Sequence, residues 1–212
     1  MKLYFSPLAC SLASRIALYE TGLDATYVEV DPRTKRTEDG RDYREIHPLG
    51  LVPALQLEPG EVVTENAAVL QYIAALAPSA RLGADDARSR AELQSWLCFI
   101  GTELHKPLFV PLLDPKAPEA VRAYALEKGR SRLDHLERHL TGQELLLDAL
   151  SVADAYLVAV LNWSLVTPVK LKEWPAIAAY HERLRSRPAF ARAIAEEFEL
   201  FKEETARHKQ VA

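Results

Sequence analysis

Hydrophobic and polar positions divide the chain into two unlike halves. Up to about residue 80, short apolar runs alternate with segments of helical period. Residues 2–5 form a compact apolar run, and residues 26–30 are rich in β-branched side chains, so both predict strands. Residues 54–57 and 61–63 flank Pro59-Gly60 and predict a hairpin. Residues 11–21 read as a helix stopped by Gly22, and residues 65–76 as a helix ended by Pro78. The order is β-α-β, a loop with a short helix, then β-β-α, which describes a small α/β unit with a mixed sheet.

Beyond about residue 85 the strand signal vanishes. Leu93, Trp96, Leu97, Ile100, Leu104 and Leu108 recur at helical spacing across residues 87–113. Pro107 lies inside that run and predicts a kink, because it removes a backbone N–H and crowds the preceding turn. Residues 119–140 and 151–166 continue the pattern, and 175–185 and 188–202 each begin with proline, a residue suited to a first helical turn. Ser151 and Asp154 are spaced for a reciprocal cap at the start of a helix. The expected organisation is an α/β domain over 1–80, a short linker, and an all-α domain over 87–205.

Composition narrows the function classes. The chain has 212 residues, 49% hydrophobic and 26% charged, enough apolar content for packed cores. A formal net charge of -4 argues against binding nucleic acid through a basic surface. No apolar run approaches the roughly 18 residues of a membrane span, and the first residues do not read as a secretory signal. Two cysteines make no disulfide framework, so a reducing cytoplasm with free thiols is the expectation.

The candidate chemistry gathers at a few positions. Cys10 falls between a strand and a helix. A helix start at Ser11 would place it at the N-cap, where unpaired N–H groups and the dipole favour a thiolate. It is equally readable as a small packing residue. Positions 7 and 13 are Pro7 and Ala13, which excludes a CxxC pair. Val52-Pro53 enters a strand, where an ordinary proline and a cis bond both stand. Glu65 opens a helix, either to complement its dipole or to hold a ligand ammonium beside N–H groups that hold a carboxylate. His105, at the expected kink, is readable as a surface residue or as a group able to donate to a thiolate or accept a proton near neutral pH. Lys35, in a charged loop, is a solvated lysine or a partner for a ligand carboxylate.

Taken together and in order, "CSLASR" at Cys10, "HPLGLVPAL" at His47, "TENAAVLQYIA" at Thr64, "TELHK" at Thr102 and "SVADAYL" at Ser151 resemble the bacterial beta-class glutathione transferases over nearly the whole chain. The resemblance implies a thioredoxin-like N-terminal domain, a helical-bundle C-terminal domain and a homodimer. It also implies a cytoplasmic detoxification enzyme that conjugates glutathione, as co-substrate, to small hydrophobic electrophiles without a metal. Cys10 and His105 are then the catalytic pair, with thiol-transferase or peroxidase chemistry through a Cys10–glutathione mixed disulfide. The glutathione site takes in Cys10, Lys35, Val52, Glu65, Asn66, Cys98, Thr102, Glu103 and His105. Where the family carries an asparagine this chain has Cys98, which cannot replace an amide and either weakens the site or packs as a small apolar residue. Asn66 stands where glycine or serine is more common and adds an amide near the γ-glutamyl group. The electrophile is expected near Leu108 and Phe109, and Ser11 is the reserve donor to the glutathione sulfur. The alternative is a non-catalytic binding or regulatory protein of the same fold.

Overall fold

The computed structural model describes residues 1–58 and 60–210. The chain separates into two compact units, Met1–Ala80 with the chain from Arg187 onward, and Arg81–Ser186.

The first unit is built on a four-stranded sheet of β1 (Lys2–Phe5), β2 (Thr26–Glu29), β3 (Ala54–Gln56) and β4 (Val62–Thr64). The spatial order is β2-β1-β3-β4. β1 runs parallel to β2, with Leu3 opposite Tyr27, and antiparallel to β3, with Leu3 opposite Leu55. β3 and β4 form the expected hairpin, although Pro59 of its turn lies outside the described residues. The parallel pair needs a crossover, which α1 (Leu12–Thr21) supplies. Gly22 ends α1 at φ 68°, a conformation that glycine adopts without strain. α2 (Asn66–Leu76) follows β4, and its Val69, Leu70 and Ile73 are fully buried.

The second unit begins with α3 (Ala87–Phe99), capped by Asp86, whose side chain accepts from the Arg88 and Ser89 amides. The expected single helix over 87–113 is interrupted. Residues 100–109 are π-helical and lead into the short α4 (Val110–Leu113). Pro107 lies within the π-helical stretch, where the wider turn absorbs its missing N–H. α5 (Glu119–Leu140), α6 (Val152–Leu161) and α7 (Pro175–Arg185) complete the unit. Every residue of α6 is buried. The cap at its start forms as the spacing predicts. Asp154 accepts from the Ser151 amide at 2.8 Å and hydroxyl at 3.0 Å, from the Leu146 amide at 3.1 Å and from the Tyr180 hydroxyl at 2.8 Å.

The last helix, α8 (Pro188–Gln210), departs from the expected grouping. Sequence patterning places it with the helical domain, but in the structure it belongs with the first unit and packs on α1. Phe190 and Ala193 are fully buried. Glu197 meets Arg15, Arg207 meets Glu29, and His208 meets Asp31 at 2.8 Å. Helical periodicity identifies such a helix but not the surface that will receive its apolar face.

Candidate functional site

The thiol-bearing loop of the first unit runs from Ser6 to Ser11. Ser6 is fixed by its hydroxyl, which donates to the Val30 carbonyl at 2.6 Å. The Ala9 amide returns to the Ser6 carbonyl at 3.1 Å, closing a turn. α1 starts one residue later than the sequence predicts, so Ser11 is the N-cap and Cys10 precedes it. The amides of Leu12, Ala13 and Ser14 bond to the carbonyls of Ala9, Cys10 and Ser11 at 3.0–3.2 Å. This tightened first turn consumes donors that the sequence reading directed at the sulfur. Cys10 is buried at 9% exposure, and its thiol donates to the Val52 carbonyl at 3.3 Å. Ser11 is fully buried, with its hydroxyl bonded to the backbone of Ser6 at 3.3 Å, so it is no reserve donor for a ligand.

Val52 precedes a cis Pro53, the rarer of the two alternatives the sequence left open. The segment leading into it is braced from below. The buried Tyr43 donates its hydroxyl to the Leu51 carbonyl at 2.8 Å. Gly50 sits at φ 60°, and a Cβ there would lie 3.2 Å from Cδ of Lys35. Glycine thus lets the lysine stem lie beside the loop. Lys35 adopts φ 58°, is half-buried, and makes no ion pair among the described residues. Burial, then the neighbouring Arg44, hold its ammonium below the usual lysine value against the pull of Asp31. Tyr43 and Gly50 escaped the sequence reading. The clue to Gly50 was its place within "HPLGLVPAL", and Tyr43 left no local signal.

Glu65 and Asn66 open α2 but behave differently. Glu65 is the N-cap at φ 65° and ψ 122°, a conformation costly for a side chain with a Cβ, by about 1–3 kcal/mol. Its carboxylate is exposed and makes no hydrogen bond or ion pair among the described residues. Strain of this kind persists where the surroundings over-determine it, and it brings an unpaired carboxylate to a helix N-terminus. Asn66 is turned inward. Its amide donates to the Cys10 carbonyl at 3.2 Å and accepts from the Ser14 hydroxyl at 3.2 Å. The side chain expected to face a ligand instead ties α2 to the Cys10 turn. The first unit therefore joins Cys10, Val52 and Asn66 through hydrogen bonds, with Glu65 adjoining Asn66 in sequence and Lys35 packed against Gly50, two residues before Val52.

In the second unit, His105 is buried at 7% exposure, contrary to the surface alternative. Its Nδ1 lies 2.8 Å from the Tyr156 hydroxyl, and its ring centroid is 4.9 Å from that of Trp163. Burial, reinforced by Lys106, pushes its pKa down to about 4. At neutral pH the imidazole is uncharged, so it neither lends positive charge to a thiolate nor accepts a proton efficiently. Thr102 is exposed, but its hydroxyl donates to the Cys98 carbonyl at 2.9 Å. Glu103 pairs with Arg132 of α5 at 2.9 Å. Cys98 is exposed, not packed as a small apolar residue, and its sulfur accepts from the Gln94 amide at 3.1 Å. Leu108 and Phe109, expected beside an electrophile, are almost wholly buried. Phe109 packs edge-on against Trp163, and Leu108 lines a partly open pocket of about 110 Å³ with Leu133, Val169 and Trp174. Among the described residues no cluster of side chains suits a metal ion, and no helix is long and apolar enough to cross a membrane.

A small mixed sheet that presents a buried thiol beside a cis-proline strand, followed in the chain by an all-helical unit, defines a class of thiol-handling proteins of thioredoxin-like plus helical architecture. The model for the glutathione S-transferase N-terminal domain matches residues 9–76, and that for the C-terminal domain matches residues 96–188. The chain belongs to the glutathione S-transferase family. It is 39% identical to glutathione S-transferase GstA of Escherichia coli O157:H7, over 93% of this chain and 98% of the relative. Glutathione S-transferase GST-4.5 of Xanthomonas campestris is 38% identical over 87% and 92%. Among solved structures, a ternary complex of BphK, a bacterial glutathione transferase, superposes with a TM-score of 0.90 at 42% identity, covering 93% of this chain and 99% of that one. The beta-class enzyme of Sphingomonas chungbukensis superposes at 0.88 with 40% identity, over 93% and 98%. A sphingomonad glutathione S-transferase complexed with glutathione gives 0.88 at 41%, over the same shares.

Proposed function

We propose that the protein transfers glutathione, through its thiol sulfur, to small hydrophobic electrophiles, and that Cys10 works on the glutathione sulfur. The observation that carries this reading is the contact between the Cys10 thiol and the Val52 carbonyl. The strand-entry backbone that family resemblance assigns to the cysteinyl part of glutathione is the same backbone that holds this thiol. A ligand pairing with Val52 would therefore bring its sulfur to Cys10. In the present contact the Cys10 sulfur carries its proton and donates it. As a donor it would hydrogen-bond a glutathione thiolate, and such a bond to a charged acceptor is worth about 1.5–3 kcal/mol.

The exposed Glu65 carboxylate would take the γ-glutamyl ammonium, and the first amides of α2 its carboxylate. Lys35 would meet the other end of the tripeptide. Asn66 supports this arrangement from beneath through the Cys10 carbonyl. On family resemblance, Thr102, Glu103 and His105 also contribute, with Cys98 in place of the usual asparagine. His105 would act as a neutral donor through Nε2 when Tyr156 donates to Nδ1. The homodimer and the cytoplasmic, detoxifying role rest on the same resemblance.

The reading is tested by titrating glutathione into the protein calorimetrically and then assaying conjugation to an aryl halide. Saturable binding below millimolar concentration with turnover is expected. No binding at millimolar glutathione would leave the non-catalytic alternative. Incubation with oxidised glutathione should add one glutathionyl group, by thiolate attack on the disulfide with release of one glutathione. Intact mass should show that adduct lost in Cys10→Ala.

A further inference from the structure

The loop that carries Cys10 is anchored by a residue almost the whole chain away. Leu8, two residues before Cys10, adopts φ 57°, a left-handed conformation that a branched aliphatic side chain rarely takes. Its amide donates to Oε2 of Glu197 at 2.8 Å. The other oxygen of the same carboxylate, Oε1, accepts from Nε of Arg15 at 2.9 Å. Arg15 lies on α1, five residues after Cys10, and its guanidinium lies over the rings of both Phe5, at 4.3 Å, and Tyr27, at 4.1 Å, in the corner that these two perpendicular rings form. The Glu197 side chain is fully buried, and that of Arg15 is 5% exposed. One carboxylate on α8 thus grips the chain on both sides of the thiol. Arg15, seated against two rings of the sheet, fixes where that carboxylate stands, and the carboxylate then fixes the Leu8 amide.

We infer that Glu197 is a positioning residue for Cys10, holding the strained Leu8 turn so that the thiol is presented at the Val52 carbonyl. This rests on the proposed role of Cys10 toward glutathione, but the anchoring itself can be read without glutathione. If the grip is released, Leu8 relaxes to negative φ and Cys10 turns away from its buried seat.

The test is Glu197→Gln, which keeps the size but replaces two acceptor oxygens by one. The rate of Cys10 alkylation by iodoacetamide is followed on the tryptic peptide spanning residues 3–15, with the peptide carrying Cys98 as an internal reference. Cys10 alkylation should rise at least 5-fold while that of Cys98 stays constant, and KM for glutathione should rise at least 5-fold with kcat within 2-fold. Glu196→Gln, which loses an Arg15 partner but no contact to Leu8, should leave the Cys10 rate at its original value. Adding Leu8→Asn to Glu197→Gln should restore at least half of the change, because asparagine tolerates positive φ. If Glu197→Gln does not fold, Leu8→Pro removes the same amide, leaves the Arg15–Glu197 pair intact and should raise the Cys10 rate equally. An unchanged Cys10 rate in a folded Glu197→Gln or Leu8→Pro protein overturns the inference. Should the original protein fail to bind glutathione, only the proposed function falls, and the alkylation result still decides this one.

Discussion

The two units hold their candidate residues by opposite means. In the first, Leu8, Lys35 and Glu65 take φ values of 57°, 58° and 65°, and the candidates ride on turns and strand ends. Those turns are held by charge and hydrogen bonds reaching from elsewhere, as between Glu197 and Arg15 or between Asn66 and Cys10. In the second, His105 sits on a π-helical stretch packed against the fully buried α6, and the buried groups are held mainly by dense packing and a satisfied cap. The contrast teaches where function and stability lie. A strained, loop-borne constellation presents unpaired groups such as the Glu65 carboxylate. A packed helical scaffold ties Asp154 into four hydrogen bonds and lowers the pKa values of the buried His105 and His181.

The largest expected effect tests the scaffold side. Asp154 is fully buried and accepts four hydrogen bonds, so Asp154→Ala orphans donors from Ser151, Leu146 and Tyr180. A loss of about 3–5 kcal/mol in chemical denaturation is expected, with Asp154→Asn milder. A loss under 1 kcal/mol would mean that the packing of α6 does not need its cap.

Glu65→Gly tests the strained side, and its two effects should have opposite signs. Glycine accepts positive φ, so thermal stability should hold or rise by up to about 1 kcal/mol. Glutathione affinity measured by calorimetry should fall at least about 10-fold, or roughly 1.4 kcal/mol. Weaker folding together with unchanged affinity would make Glu65 a structural residue.

Gly129→Ala probes how tightly the helical unit is packed. A Cβ on Gly129 of α5 would overlap Cδ1 of the buried Leu108. Overpacking of about 1–3 kcal/mol should exceed the helix-propensity gain of about 1 kcal/mol, lowering the melting temperature by a few degrees. A higher melting temperature would show that Leu108 can shift into the neighbouring pocket at little cost.

The smallest effect, on the order of 1 kcal/mol per group, is a divergence of the two units with pH. His105 and His181 are lowered to about 4, chiefly by burial. Their native forms bind fewer protons than the unfolded chain, so their contribution is present above the unfolded histidine value of about 6.5 and is lost as pH falls toward 4. Glu197 runs the other way. Burial raises its pKa to about 7 against the pull of Arg15, so its contribution is present below its unfolded value near 4.5 and is lost as pH rises through about 7. Hydrogen exchange at pH 5 and pH 7, corrected for intrinsic rates, should show the π-helical stretch 100–109 and α7, which carry these histidines, less protected at the lower pH, while α1 and α8 hold or gain. Parallel behaviour of the two units would remove this electrostatic distinction.

Much of this was written locally in the chain. The strands, the helices α1, α2, α5, α6 and α7, the reciprocal Ser151–Asp154 cap and the positions of Cys10, Val52-Pro53 and Glu65 in the chain follow from short-range rules of periodicity, capping and backbone preference. Those rules act over a few residues, so a single sequence displays them. Tertiary structure decided what depends on which surfaces meet. It placed α8 on α1, because burial of Phe190 and the Glu197–Arg15 pair is a long-range gain invisible to periodicity. It turned the Asn66 amide inward to the Cys10 carbonyl and shut the Ser11 hydroxyl away. It also buried His105 deeply enough to leave it neutral, since desolvation is set by all that packs around a group and not by its neighbours in sequence.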